Sequence, residues 1–254
     1  MGRSVWVVLV PSRDLSAPLV WARGNDGRGS PGDNGDMNLP GILRISGVTA
    51  MTAVALLAGY ISIPAASADV CPDVEVVFAR GTNEPPGPGV VGQAFADSLG
   101  AQLPGRSVAV YAVDYPASDD YLRSAAQGSD DVLARVQALV ANCPNTSVVL
   151  GGYSQGAAVT ELSTGELSPL AADRVAAVAL FGSPSSDFSS MLAGGAPLPT
   201  ISPDYQAKTI DLCIPDDPIC SAGANMIAHV SYVPLGMANQ AATFAVEKLD
   251  QTNG

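Results

Sequence analysis

The sequence predicts an α/β domain in which a parallel β-sheet is covered by helices on both faces. Two observations lead to this prediction. Short apolar runs rich in Val, typical of strands that are buried on both sides, alternate along the chain with longer stretches of helical period. The composition of the 254 residues, with 47% hydrophobic and 14% charged, suits one globular domain and excludes a disordered or fibrous protein.

Five apolar runs are the predicted strands, in chain order Val74–Ala79, Ser107–Asp114, Ser147–Gly152, Val175–Gly182 and Ala207–Leu212. Helices are expected in the gaps between them. Residues 117–142 carry apolar side chains at the three- and four-residue spacing of a packed helix face, namely Leu122, Ala125, Val132, Leu133, Val136, Leu139 and Val140. A second helix is predicted to begin at Ser154, and a further one to run from Met237 to Leu249.

The segment 183–205 is rich in Ser, Pro and Gly and has no clear period. It therefore predicts a long surface connection, and loops of this kind can border a substrate site. No internal repeat and no domain linker is evident in the sequence.

Residues 45–68 form an uncharged, largely apolar segment that follows Arg44 and ends in Ala66-Ser67-Ala68. This small-x-small ending is the pattern that signal peptidase accepts, so the segment predicts an export signal that is cleaved before Asp69. The expected location is outside the cell, free or associated with the cell wall. An uncleaved membrane anchor is the alternative, because the run is long enough to span a bilayer. Pro64 and the small residues after it favour cleavage.

The 36 residues ahead of this signal are polar, rich in Gly and without an apolar period. They predict an extension that is untranslated or disordered, with Met37 as the true start of the protein. The predicted organisation is thus an extension over residues 1–36, a signal peptide over residues 37–68 and one folded domain over residues 69–254. After signal cleavage, no stable membrane span is expected.

All four cysteines, Cys71, Cys143, Cys213 and Cys220, follow the predicted cleavage site. An even number of cysteines in an exported chain predicts disulfides, and three connectivities are open. Zinc binding is disfavoured because the chain has no CxxC pair and a single histidine. The formal net charge of −12, with its acidic excess beyond residue 68, repels phosphate backbones, so no nucleic-acid partner is expected.

The segment Gly152-Tyr153-Ser154-Gln155-Gly156 follows a predicted strand and precedes an Ala-rich, helix-forming run. This context is the one that a G-x-S-x-G nucleophile elbow requires, because the tight turn needs a glycine two residues before the serine and another two residues after it. Ser154 is therefore the predicted nucleophile. Its place at a helix N-terminus directs free backbone N–H groups towards a developing oxyanion.

A serine hydroxyl needs a general base whose pKa lies close to the working pH. His229 is the one histidine of the chain and is therefore the predicted base. In this type of site an acid follows the serine in the chain and orients the histidine. The later region between Ser154 and His229 offers four aspartates: Asp204, Asp211, Asp216 and Asp217. Asp217 is preferred because it lies between two closely spaced cysteines, although these physical arguments do not exclude Asp216.

With these residues in view, the sequence resembles the cutinase family, including the cutinase-like esterases of mycobacteria and related actinobacteria. The resemblance runs from Cys71 to about Leu249 and rests on four landmarks in order: CPDVEVVFARGTNEPPG, GYSQGA, C-x3-D-x2-C with Asp217 as its acid, and the following His229. It implies an α/β-hydrolase of five parallel strands without a lid. It also implies the disulfides Cys71–Cys143 and Cys213–Cys220.

The resemblance further implies an oxyanion hole formed by the backbone N–H of Gln155 and by Thr82, which stands where the family more often has serine. The expected protein is a monomeric, secreted serine esterase that hydrolyses short- to medium-chain acyl esters or lipids and needs no cofactor and no metal. Four apolar residues around the base are expected to line a site for aliphatic chains or to belong to the core: Met226, Ile227, Val230 and Val233. The alternatives are an acetylxylan-type polysaccharide deacetylase and a catalytically silent cell-envelope protein of the same fold.

Overall fold

The computed structural model describes residues 71–252, and these form the domain discussed from here on. The predicted extension over residues 1–36 and the predicted signal peptide over residues 37–68 lie outside the described residues, so both stay predictions. No helix among residues 71–252 combines the length and apolar character needed to cross a bilayer.

The sheet has five strands, β1 (Val74–Ala79), β2 (Val108–Ala112), β3 (Ser147–Tyr153), β4 (Val175–Phe181) and β5 (Thr209–Leu212). Their order across the sheet is β2-β1-β3-β4-β5, and every neighbouring pair is parallel. This arrangement confirms the predicted parallel sheet and its five strands. Strands β1 and β4 are buried along their whole length. This is why β4 is an unbroken apolar run in the sequence and β1 is interrupted only by Glu75, whose buried carboxylate pairs with Arg135.

Seven helices connect and cover the strands, and their bounds are α1 (Gly89–Gln102), α2 (Tyr121–Asn142), α3 (Gln155–Thr164), α4 (Pro169–Ala172), α5 (Asp187–Leu192), α6 (Met226–His229) and α7 (Met237–Thr252) among residues 71–252. One apolar cluster joins α1 and α7 to one face of the sheet through side chains such as Phe78, Phe95 and Phe181. A second cluster joins α2 and α3 to the opposite face through Val77, Leu150 and Val136. Because β3 lies at the centre of the sheet, its carboxyl end is flanked by helices from both layers.

The start of α2 differs from the sequence prediction. The helix begins at Tyr121 and not near residue 117, because Pro116 precedes Ala117, whose φ of 50° is incompatible with a helix. The prediction that Leu122 lies on the packed face was wrong, because Leu122 is 45% exposed in the first turn of α2. The buried face of α2 is formed by Ser124, Ala125, Gly128, Ser129, Val132, Val136 and Leu139.

Two further boundaries differ from the sequence prediction. Strand β5 begins at Thr209, because Pro203–Lys208 forms a 3₁₀ turn that buries Tyr205 against the α2 and α3 layer. The segment predicted as a surface connection contains the short helix α5, which begins after Ser186. The Ser186 hydroxyl accepts a hydrogen bond from the Ser189 backbone N–H at 3.0 Å, as an N-cap does.

Two disulfides join the four cysteines as the resemblance implies. Cys71–Cys143 ties the chain before β1 to the end of α2, and Cys213–Cys220 closes a short loop after β5. The first bridge lies beyond the amino ends of the strands, whereas the second lies at their carboxyl ends. The two disulfides therefore constrain opposite ends of the sheet, and the effect of losing each can be measured separately.

We predict that replacing Cys71 and Cys143 together by Ala lowers the free energy of unfolding more than replacing Cys213 and Cys220 together. The sequence separations are 72 and 7 residues, and the loop-entropy model gives losses of about 4 and about 2 kcal/mol respectively. Urea titrations of the two double variants and the wild type measure the difference. The reverse order of the two losses would contradict the prediction.

Candidate active site

The turn between β3 and α3 holds Ser154 in a strained conformation. Its φ and ψ are 55° and −120°, in a region that non-glycine residues seldom adopt. A Cβ at Gly152 would lie 2.0 Å from the carbonyl oxygen of Gly156, and one at Gly156 would lie 2.0 Å from the carbonyl oxygen of Ala79. Only glycine fits these two positions, so the backbone closes tightly around the serine and presents its hydroxyl above the sheet edge.

The Ser154 hydroxyl lies within hydrogen-bonding distance of the single imidazole. Its Oγ is 2.9 Å from Nε2 of His229, and Nδ1 of the same ring is 2.8 Å from Oδ2 of Asp217. A carboxylate can only accept, so Nδ1 donates to Asp217 and leaves the lone pair of Nε2 directed at the serine. The structure thus brings together the three predicted residues in the order that general-base activation of a hydroxyl requires.

The short cystine loop holds Asp217 fully buried at its inner side. Burial acts to raise the pKa of this carboxyl. Hydrogen bonds from His229, from the Tyr232 hydroxyl at 2.7 Å and from the Ile219 backbone N–H at 2.8 Å outweigh it and lower the pKa below its ordinary value. Asp216, the alternative left open by the sequence, is exposed and has a φ of 68°. The loop geometry therefore selects Asp217 as the partner of the imidazole.

Thr82 and Gln155, the predicted oxyanion donors, lie at the carboxyl ends of β1 and β3. Among residues 71–252, neither of their backbone N–H groups has a hydrogen-bond acceptor. The Gln155 side chain is fully buried, accepts a hydrogen bond from the Ser124 hydroxyl at 3.0 Å and donates one to the Ser118 carbonyl at 2.9 Å. These two bonds fix the first residue of α3, so its N–H is held in place beside Ser154.

The loop that carries Thr82 is held by a carboxylate that the sequence reasoning did not identify. Glu84 accepts hydrogen bonds from the Gly81 N–H at 2.6 Å and from the Val90 N–H at 3.0 Å. Its own backbone carbonyl accepts from Arg80 at 2.8 Å. These bonds close the loop on both sides of Thr82 and leave its N–H free to bind a substrate oxygen.

Two tyrosines that support the imidazole were also missed. The Tyr153 ring stacks on His229 with centroids 5.0 Å apart, and its hydroxyl donates to the His229 carbonyl at 2.7 Å. Tyr232 is fully buried, packs edge-on against the imidazole and donates to Asp217. Tyr153 lies inside the elbow motif and Tyr232 three residues after the histidine, and these positions are the only sequence signals that point to them.

Ser154 is partly exposed and opens into an apolar groove of about 690 Å³. Three of the four apolar residues expected near the base line this groove, namely Met226, Val230 and Val233, whereas Ile227 is 74% exposed and lies outside it. Residues 71–252 contain no group of three or more His, Cys, Asp or Glu side chains arranged to bind a metal ion.

Comparison with known proteins identifies close relatives of this chain. A family model described as Cutinase matches residues 70–249. Carboxylesterase Culp1 of Mycobacterium tuberculosis is 61% identical over 209 residues, which cover 82% of this chain and 96% of that protein. A solved structure of Trichoderma reesei cutinase in complex with a C11Y4 phosphonate inhibitor is 35% identical with a TM-score of 0.58, covering 70% of this chain and 77% of that one. An acetylxylan esterase structure is 26% identical with a TM-score of 0.61, covering 71% of this chain and 100% of that one.

We predict that Tyr232→Phe moves the acidic limb of the pH profile of kcat/KM for an ester substrate to higher pH. Without the phenol hydroxyl, Asp217 loses one of the three donors that lower the pKa of its carboxyl, so this pKa rises and the site loses its ionised acid at a higher pH. One hydrogen bond of about 1 kcal/mol corresponds to a shift of roughly 0.7 pH unit.

The matched control is Tyr205→Phe. Tyr205 is also buried, and its hydroxyl has no hydrogen-bond partner among residues 71–252. It lies on the 3₁₀ turn at the opposite side of the sheet from Tyr232. The control profile is expected to match that of the wild type, and coincident profiles for the two variants would contradict a role of Tyr232 in tuning Asp217.

Proposed function

We propose that this chain, which belongs to the cutinase family and is a serine ester hydrolase, cleaves carboxylic esters through an acyl-enzyme. The acyl group is carried by Ser154. The observation that carries the proposal is the hydrogen-bonded chain from Ser154 through His229 to Asp217. The serine elbow, the one histidine and the buried aspartate each have the geometry that their role requires.

In the first half of the proposed reaction, Nε2 of His229 takes the proton of the Ser154 hydroxyl while Oγ bonds to the ester carbonyl carbon. The carbonyl oxygen becomes an oxyanion in the tetrahedral intermediate. The bond from carbon to the alkoxy oxygen then breaks, and the imidazolium gives its proton to that oxygen, releasing an alcohol. Asp217 stabilises the imidazolium throughout and does not itself take the proton.

In the second half, water replaces the alcohol. His229 takes one proton from the water as its oxygen bonds to the acyl carbon, and a second tetrahedral intermediate forms. Its collapse breaks the bond to Oγ of Ser154, returns the proton to that oxygen and releases a carboxylic acid. The backbone N–H groups of Thr82 and Gln155 are the proposed donors to both oxyanions.

The apolar recesses beside Ser154 support short- to medium-chain acyl esters or lipids as the substrate class. We further propose that the protein acts as a monomer outside the cytoplasm, where its two disulfides persist. The acidic net charge argues against nucleic acid as a partner.

Deacetylation of an acetylated polysaccharide is a second proposal, favoured by the similarity to an acetylxylan esterase structure. A panel of acyl chain lengths separates the two proposals, because strict preference for acetyl favours the polysaccharide. A catalytically silent cell-envelope protein of this fold is disfavoured by the hydrogen-bonded contacts that join Ser154, His229 and Asp217.

We predict that Ser154→Ala lowers kcat for p-nitrophenyl butyrate by at least ~10³-fold, because no other hydroxyl takes its place. Asp217→Asn is expected to lower kcat by ~10²- to 10⁴-fold, because the amide no longer selects the required imidazole tautomer.

The neighbouring residue provides a matched control for the acid. Asp216→Asn removes the same charge one residue earlier, on an exposed side chain, and is expected to keep kcat within about twofold of the wild type. Unchanged turnover in Ser154→Ala would remove the catalytic assignment altogether. A large loss in Asp216→Asn with normal turnover in Asp217→Asn would transfer the role of the acid to Asp216.

A further inference from the structure

Two recesses meet at Ser154, and they differ in size and in access to the base. The groove of about 690 Å³ includes His229 in its wall, whereas a smaller cleft of about 210 Å³ does not. Both are lined by Thr82, Ser154, Leu192 and Ile219. A substrate bound at the serine therefore has two separate spaces for the two groups that flank its ester bond.

The two recesses lie over opposite layers of the fold. Tyr121, the first residue of α2, lines the cleft together with Asp119, and α2 belongs to the layer that packs on one face of the sheet. Val90 and Val91, near the start of α1, line the groove, and α1 belongs to the layer on the other face. Ser154, which directly follows the central strand β3, lies between the two recesses and lines both.

The direction of proton transfer determines which group enters which space. The alkoxy oxygen must receive its proton from Nε2 of His229, so it lies on the histidine side of the tetrahedral carbon. The oxyanion points to the donors on Thr82 and Gln155, and Oγ of Ser154 occupies a third direction. The acyl chain is left with the direction away from the imidazole, where the cleft lies.

We infer that the cleft binds the acyl chain and that the histidine-side groove binds the leaving alcohol. This inference rests on the proposed function and refines its substrate class. The cleft is below the range of roughly 300–1,000 Å³ typical of pockets for drug-sized ligands, so it takes a short acyl group. The groove is more than three times larger and takes a bulky alcohol.

The lining of the groove identifies the chemistry of that alcohol. Apolar side chains predominate in its wall: Val90, Val91, Phe188, Leu192, Ile219, Met226, Val230 and Val233. Glu84 and Tyr153 also line the groove, but their side chains already hydrogen-bond within the protein, so a sugar ring would find few partners for its hydroxyls there. The fitting substrate is thus a short-chain acyl ester of a long or bulky apolar alcohol, and a polysaccharide deacetylase is disfavoured.

One wall of the cleft is held by a hydrogen bond between two segments, which limits the length of the acyl group that fits. The Ser189 hydroxyl donates to the Ile219 carbonyl at 2.7 Å, so α5 is fastened to the loop that carries Asp217. Ser189 and Ile219 both line the cleft, and Pro184 lies beside them. Tyr121 lines the cleft but not the groove. A substitution of Tyr121 therefore changes the shape of the cleft alone.

Two series of esters test the assignment. The acyl series contains p-nitrophenyl esters of C2, C4, C8 and C12 acids, and the alcohol series contains butyrate esters of C2, C4, C8 and C12 alcohols. Values of kcat/KM are normalised to the shortest ester of each series, so that a general loss of activity cancels. Wild-type kcat/KM is expected to fall at least ~10-fold from C4 to C12 in the acyl series and to be maintained or rise in the alcohol series.

Two variants should affect the two series separately. Tyr121→Leu opens the cleft and is expected to raise the C8-to-C2 ratio of the acyl series at least ~10-fold, with the alcohol series unchanged. Val230→Trp fills the groove at a residue that is 67% exposed, and is expected to lower the C12-to-C2 ratio of the alcohol series at least ~10-fold, with the acyl series unchanged. The opposite pattern, with each variant changing the other series, would overturn the assignment.

A covalent adduct of the wild-type protein tests the assignment of the two recesses without relying on the folding of a variant. A p-nitrophenyl phosphonate with an ethyl group on phosphorus and an octyloxy ester loses p-nitrophenol to Ser154, leaving ethyl in the acyl position and octyloxy in the alcohol position. A crystal structure is expected to show octyloxy in the groove and ethyl in the cleft. Octyloxy in the cleft would overturn the inference, whereas failure to form any adduct would instead contradict the proposed function.

Discussion

The hydrogen bond between buried Asp217 and Nδ1 of His229 is the interaction on which the rest of the site depends. A buried carboxylate is costly unless its oxygens are satisfied, and here the imidazole, Tyr232 and the Ile219 N–H satisfy them. The disulfide Cys213–Cys220 holds the loop that makes this possible. Because Asp217 fixes the ring, the opposite nitrogen faces Ser154, and the acid loop is joined to the end of the central strand.

A second constraint acts on the backbone around the nucleophile. Ser154 carries the strain of a positive φ, and Gly152 and Gly156 allow neighbouring segments to approach where any Cβ would collide. The buried side chain of Gln155 and the carboxylate of Glu84 then hold the two proposed oxyanion donors from behind. These hydrogen bonds hold the segments next to the strained serine in place.

Much of this arrangement could be predicted from the sequence, because apolar patterns and one motif carry strong signals. Four of the five strands begin within one residue of their predicted starts, since each is a short apolar run rich in Val. The start of α2 and the place of Leu122 were not predictable, because the backbone at Ala117 overrides an apolar period. Tyr153 and Tyr232 act through contacts with other segments of the chain, and Glu84 acts through the shape of its own loop. A single sequence reveals neither.

The tautomer of His229 tests the central claim most directly, and the chain makes the measurement simple because it has one histidine. Nitrogen-15 NMR of protein labelled at this residue reports which ring nitrogen carries the proton when the imidazole is neutral. We expect a protonated Nδ1 and an unprotonated Nε2 in the wild type, and loss of that preference in Asp217→Ala. A proton on Nε2 in the wild type, or the same spectrum in both proteins, would contradict the central claim.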